Sequence, residues 1–205
     1  MNDAPTEHLI PMPLATLPAG AIFDCDGTLV DTMPLHFVAW RKTLDALGHP
    51  TIFPETQFYE WGGTPAKEIM ERLNVIHGLT LPPHETATEK EEIYRTLITD
   101  VKPLTFVIDE AIRLHAAGVP LAVASGGRRD VVIESLETVG IRDLFGPVVG
   151  SEDVANGKPA PDVFLRAAEL LGVAPERCVV FEDAPAGLLA AHRAGMKAVD
   201  IIRFL

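Results

Sequence analysis

From Pro103 onward the chain alternates short apolar runs with helical patterns, and glycine closes most of the helices. A helix near Phe106 to Ala117 stops at Gly118, and a strand then runs to Ala124. A helix near Asp130 to Val139 stops at Gly140, ahead of a short strand at Pro147-Val148-Val149. The helix from Pro161 to Leu171 stops at Gly172. A strand ending at Phe181, a helix to about Ala194 and a last strand over 197–201 complete the series. Strands separated by helices return in the same direction, so the pattern predicts an α/β fold with a parallel sheet and right-handed crossovers. The apolar run from about Gly20 to Asp24 supplies its first strand. Ligands of such sheets bind beyond the carboxyl ends of the strands.

A helical stretch interrupts the alternation. Pro34 suits a first helical turn, and Phe37, Trp40, Leu44 and Leu47 recur at helical spacing before Gly48. Thr64-Pro65 starts a second helix carrying Ile69, Met70 and Leu73, and a third is expected over about Glu85 to Ile98. Residues 17–32 and 103–205 are therefore read as the α/β core, and 33–102 as a helical cap inserted between its first two strands. The Pro-rich residues 1–16 show no period and are expected to be a loose or surface-draped arm. A chain of 205 residues, 47% hydrophobic, suits one domain with such an insertion better than two equal domains.

Asp24-Cys25-Asp26-Gly27-Thr28 ends the first strand. Side chains two apart on a strand share a face, so both carboxylates project together and repel unless a cation lies between them. Mg²⁺ is the economical choice, because it is hard, prefers oxygen and is usually held by one or two carboxylates with a substrate phosphate. One Asp is then free to attack phosphorus and the other to carry a proton. The competing reading is an ordinary Asp-Gly surface turn. Three more polar positions lie at or just beyond strand ends or in the loops between: Ser125 opening Gly126-Gly127, Lys158 in a Pro- and Gly-rich loop, and Glu182-Asp183. Each has a plainer alternative: a loop, a solvated lysine and a helix N-cap.

Taken in order, Asp24-Cys25-Asp26-Gly27-Thr28-Leu29-Val30-Asp31-Thr32, Ser125, Gly157-Lys158-Pro159-Ala160-Pro161-Asp162 and Glu182-Asp183 resemble the four motifs of the haloacid dehalogenase superfamily. The resemblance covers nearly everything beyond the first sixteen or so residues. It implies a Rossmann-like core with an α-helical cap, Mg²⁺ as cofactor and a small phosphomonoester as substrate. Asp24 is then the nucleophile that forms an aspartyl phosphate, and Asp26 the acid and base, for which a raised pKa is expected. Ser125, Gly126 and Lys158 hold the phosphoryl group. Asp24, the Asp26 carbonyl, Asp183 and Glu182, directly or through water, hold the metal.

In the cap, the resemblance places Thr32 and His36 near the acid, Lys90 reaching toward the site, and Gly62 and Gly63 of Trp61-Gly62-Gly63-Thr64 in the loop that selects substrate. A helix histidine is also a common surface residue, and Glu89-Lys90-Glu91-Glu92 reads equally as a solvated face. Arg128 and Arg129 are candidates for a distal clamp. Mutases of this superfamily carry a Lys and an Arg in the cap loop where this chain has Gly62 and Ala66, although Lys67 is one position away. The resemblance is strongest to the fructose-1-phosphatase group, so hydrolysis of a sugar phosphate is expected, with β-phosphoglucomutase-type isomerisation as the alternative and an idle binding module as a remote one. A dehalogenase proper is disfavoured by Asp26, Lys158 and the Glu182-Asp183 pair.

The formal net charge of −12 opposes binding to nucleic acid or anionic membrane. No apolar stretch has the length of a transmembrane helix, and Met1 to Gly20 lacks a signal-peptide pattern, so a cytoplasmic location is expected. A monomer or weak dimer is expected, with no motif that decides between them. Cys25 and Cys178 offer neither a disulfide framework nor a zinc spacing and are read as small buried hydrophobes.

Overall fold

Ala21, Ile22 and Phe23 are fully buried because β1 (Gly20–Phe23) is the middle strand of a parallel sheet. The computed structural model describes residues 8–204. After β1 come β2 (Val30–Asp31), α1 (Met33–Ala46), α2 (Glu55–Glu60), α3 (Ala66–His77), α4 (Pro83–Arg95) and β3 (Lys102–Pro103). The alternating part follows as α5 (Thr105–Ala116), β4 (Leu121–Ala124), α6 (Arg129–Thr138), β5 (Val148–Val149), α7 (Asp162–Leu171), β6 (Cys178–Glu182), α8 (Pro185–Arg193) and β7 (Lys197–Asp200).

The sheet order is β5-β4-β1-β6-β7 and every pairing is parallel. A strand covered on both faces must be apolar on both, which is why these runs do not alternate with polar residues. Ala21, Phe23, Val123 and Phe181 face a core built with α5 and α6. Ile22, Ala122, Ala124 and Val180 face the other core, built with α7 and α8. Phe23 and Phe181 stack across neighbouring strands with ring centroids 4.4 Å apart.

Helices α1 to α3 and the loop before α2 enclose a third cluster around Trp40, Phe53, Phe58 and Met70. The two chain crossings between this helical insertion and the sheet are joined by an antiparallel ribbon in which Val30 pairs with Pro103 and Asp31 with Lys102. Neither that ribbon nor the short α2 was anticipated, since two-residue strands and six-residue helices carry too few positions to show a period. The third predicted helix ends at Arg95 rather than Ile98. There the Thr96 hydroxyl donates to the Ile93 carbonyl at 2.7 Å, a local bond that competes with helix continuation. β1 ends one residue before Asp24, but the Asp24 N–H still donates to the Phe181 carbonyl at 2.9 Å.

The first seven residues of the predicted arm lie outside the described residues. Its remainder is draped, not loose: the Ile10 N–H donates to the Ala198 carbonyl at 2.8 Å along β7, and the buried Leu14 donates its N–H to Glu110 on α5 at 3.0 Å. Among the described residues no helix is long and apolar enough to cross a membrane. Both cysteines are free and buried.

Candidate active site

The carboxyl ends of β1, β4 and β6 bring Asp24, Ser125 and Glu182 to one end of the sheet, where the loop before α7 delivers Lys158. Lys158 Nζ donates to Asp24 Oδ1 at 2.6 Å and to Glu182 Oε2 at 2.7 Å, and the ammonium lies 5.0 Å from the Phe164 ring centre. It is 1% exposed, so the solvated-lysine reading does not hold. Burial pushes the ammonium pKa down, but the charges of Asp24 and Glu182 outweigh it and hold it above the ordinary lysine value. Asp24 is pushed the other way: burial first, then the charge of Glu182, raise its carboxyl well above the usual range against the pull of Lys158. Burial and Glu182 likewise push Asp183 up to about 7, opposed by the Thr28 hydroxyl donating to its Oδ1 at 2.8 Å.

One oxygen each of Asp24, Glu182 and Asp183 lie within 4.8 Å of one another. Three carboxylates against one ammonium leave excess negative charge in a buried place, and all-oxygen donors suit a hard dication. These residues therefore fit Mg²⁺. Both Glu182 oxygens are already engaged, Oε2 by Lys158 and Oε1 by the Ala184 N–H at 3.0 Å, so its part favours contact through water. Gly27 closes the turn after β1 with φ +86°, and a Cβ there would sit 2.5 Å from Asp183 Oδ2. Only glycine meets both demands.

Asp26 faces the helical insertion. Its Oδ1 accepts the Thr32 hydroxyl at 2.6 Å and lies 3.2 Å from His36 Nε2, and its Oδ2 accepts the Ser125 hydroxyl at 3.3 Å. Lys90 Nζ lies 2.7 Å from His36 Nδ1. An ammonium only donates, so Nδ1 accepts and Nε2–H points at Asp26, forming a relay from α4 through α1 to the loop after β1. Tyr94 stacks on the His36 ring with centroids 3.9 Å apart, which fixes its plane. Burial raises the Asp26 carboxyl, but His36, Thr32 and the Lys90 charge outweigh it and hold it below the usual range. This corrects the expectation of a raised pKa: the cationic relay favours the ionised form. The solvated-face alternative for Lys90 is corrected too, since Lys90 and Glu91 are 4% and 8% exposed.

Asp24, Asp26 and the Ser125-Gly126-Gly127 turn form the sheet side of a cavity whose opposite wall includes Trp40, Trp61 and the Gly62-Gly63-Thr64 loop. A Cβ on Gly126 would collide with the Gly63 carbonyl, so the two loops meet backbone to backbone. The Gly127 N–H donates to Ser125 Oγ at 2.9 Å. Arg128 does not join this group. It lines a neighbouring cleft with Lys67, Glu68 and Glu152, and its guanidinium bonds Asp130 at 3.1 and 3.2 Å.

Residues 21–201 match the description of haloacid dehalogenase-like hydrolases. The chain belongs to that family. Among relatives of this haloacid dehalogenase-like hydrolase, fructose-1-phosphate phosphatase YqaB of Escherichia coli (strain K12) is 40% identical over 185 residues, which is 89% of this chain and 96% of that protein. The beta-phosphoglucomutase of Bacillus subtilis (strain 168) is 32% identical over 190 residues, 88% of this chain and 81% of that protein. The structure of CbbY from Rhodobacter sphaeroides in complex with phosphate superposes with a TM-score of 0.80 at 29% identity, over 89% of this chain and 85% of that one.

In this hydrolase, sequence reasoning passed over Thr28, Glu91 and Tyr94 as site neighbours. Tyr94 follows Lys90 at i+4 on α4, a spacing from which it could have been found, whereas Glu91 at i+1 does not share that face and carried no such signal.

Proposed function

We propose that this chain is a Mg²⁺-dependent phosphatase of small sugar phosphates, working through an aspartyl phosphate on Asp24, with residues 33–102 as the cap over its site. The observation that carries the reading is the opposed pair at the sheet end: Asp24 beside buried Lys158 on one side, and Asp26 on the relay from His36 and Lys90 on the other.

An Asp24 oxygen attacks phosphorus as the bond from phosphorus to the sugar oxygen breaks, and Asp26 donates a proton to that oxygen. Water then attacks the aspartyl phosphate while Asp26 takes its proton, the bond from phosphorus to Asp24 breaks, and phosphate leaves. Asp26 rests ionised, so it must gain its proton on substrate binding; a phosphoryl dianion beside it opposes the cationic relay and raises its proton affinity. Lys158 offsets the negative charge of Asp24 and the phosphoryl group, and Ser125 positions a phosphoryl oxygen. Asp24, Asp183, the Asp26 carbonyl and, through water, Glu182 would hold the ion. When bound it supplies positive charge that keeps Asp24 ionised and neutralises phosphoryl oxygens.

Fructose 1-phosphate is the first substrate to try, because the E. coli relative is named for it. Likeness to a protein named beta-phosphoglucomutase favours the second reading, phosphoryl return to the sugar. Gly62 and Ala66 stand where the mutases carry cations, and the nearby Lys67 is largely exposed and paired with Glu71 at 3.6 Å. Little therefore holds a second phosphate while water is excluded. Phosphate release from a sugar-phosphate panel is expected with Mg²⁺ and lost in EDTA. Conversion of β-glucose 1-phosphate to glucose 6-phosphate that outruns hydrolysis, in the presence of glucose 1,6-bisphosphate, would overturn the phosphatase reading.

A further inference from the structure

Glu91 on α4 is 8% exposed, and its two oxygens differ. Oε1 accepts Lys90 Nζ at 3.0 Å, whereas Oε2 is buried without a hydrogen-bond partner among the described residues. Buried polar atoms in folded proteins almost always have partners, so an acceptor stranded in a cavity wall points to a donor that arrives from outside the chain. Glu91 lines both the cavity over Asp24 and Asp26 and the adjoining cleft. Lys90 already occupies the other oxygen, so the free one suits an O–H donor. In the same cavity, Trp40, Phe58 and Trp61 line the wall and offer aromatic surface for C–H groups. Aromatic faces beside one acceptor match a polyol.

The adjoining cleft is unfavourable to a second phosphate. Lys67 and Arg128 are the cleft's candidate cations, and both are engaged, by Glu71 at 3.6 Å and Asp130 at 3.1 Å. Glu152, held only by the Arg129 backbone N–H among the described residues, adds negative charge to that of Glu91.

Resting on the phosphatase reading, we propose that Glu91 determines specificity: its Oε2 accepts a hydrogen bond from a hydroxyl of the polyol part of the substrate, and its charge turns bisphosphates away. The chain then acts on polyol monophosphates with an uncharged distal end.

Two variants separate the contact from the charge. Glu91→Gln removes the charge and Glu91→Asp keeps it but withdraws the oxygen by one methylene. The readouts are the ratio of kcat/KM for fructose 1-phosphate over phenyl phosphate, which has no hydroxyl on its organic part, and the ratio for fructose 1-phosphate over fructose 1,6-bisphosphate. The first ratio is expected to fall about tenfold in both variants, the value of one hydrogen bond to a charged acceptor. The second is expected to fall in Glu91→Gln and hold in Glu91→Asp. A first ratio unmoved in both variants overturns the inference, and so does equal loss on both substrates, which would mean that Glu91 acts only through Lys90 and the relay. Thermal melts of both variants check that the fold is intact. Wild-type protein that releases phosphate from none of these compounds overturns the phosphatase reading itself, and this inference with it.

Discussion

Lys158 sets the electrostatics of the site. A buried ammonium survives only with partners, and removing it would leave Asp24 and Glu182 as adjacent buried like charges. Asp24→Asn is gentler, because Lys158 keeps Glu182 and the amide keeps the shape. We expect that variant to fold, with an unchanged circular dichroism spectrum, and to release no phosphate above background; steady turnover by pure Asp24→Asn protein would remove it as nucleophile. Asp26→Asn should lower kcat by about 10²–10⁴, the range for loss of a general acid, with the deficit smallest for esters whose leaving group needs no proton. A deficit equal for all leaving groups would argue against proton transfer. At this scale the types of Asp24, Asp26, Ser125 and Glu182 were legible, since each stands at or near the end of an apolar run, whereas Lys158 stands in a loop and was marked only by the motif it resembles. Their ionisation was not: the low pKa of Asp26 comes from His36 and Lys90, ten and sixty-four positions away, and no local pattern announces that contact.

Among the elements, the β2–β3 ribbon and the segment before β1 do most to position the rest. The ribbon pins both crossings to the helical insertion, so α1 to α4 meet the sheet through one paired hinge. The segment at 8–16 is held by Glu110, which accepts the Leu14 N–H and bonds Arg113 at 2.7 Å. Burial raises the Glu110 carboxyl, but Arg113 and the Leu14 N–H outweigh it and hold it below the ordinary value. A depressed carboxyl stabilises the fold above the unfolded pKa, about 4.3, and that contribution is lost as pH falls through the lower folded value. Glu110→Gln should therefore cost about 1.5–3 kcal/mol in urea unfolding at pH 7, the range for hydrogen bonds to charged groups, and less at pH 3.5. An equal cost at both values would show that packing rather than charge anchors the segment. The long helices and central strands were legible from their periods, whereas the ribbon and α2 were too short to have one.

For the whole molecule, the cluster of three carboxylates and one ammonium is expected to make stability depend on pH and, on the proposed reading, on Mg²⁺. Asp183 sits at about 7, above its ordinary value, so between roughly pH 4 and 7 the folded state keeps a proton that the unfolded state has released. Metal-free protein should lose stability as pH rises across that window. In EDTA the Tm is expected to be lower at pH 8 than at pH 5.5 by on the order of a few degrees, with a flatter profile in Asp183→Asn. Mg²⁺ should raise the Tm more at pH 8, where its ligands are already ionised. A metal-free Tm that climbs over this range would contradict the charge balance described here. The sequence by itself determined the parallel sheet, because alternating apolar runs and helices have few ways to bury both faces of their strands, and it determined which polar residues stand at the strand ends. Only the tertiary structure decided what those residues meet: Lys158 buried between Asp24 and Glu182, the relay from Lys90 to Asp26, and the unpartnered oxygen of Glu91. The Lys158 contacts join residues 24 and 134 positions apart because the sheet order sets β1 beside β6, and the relay joins residues 10 and 54 positions apart because the insertion packs on the sheet, so neither follows from local propensity.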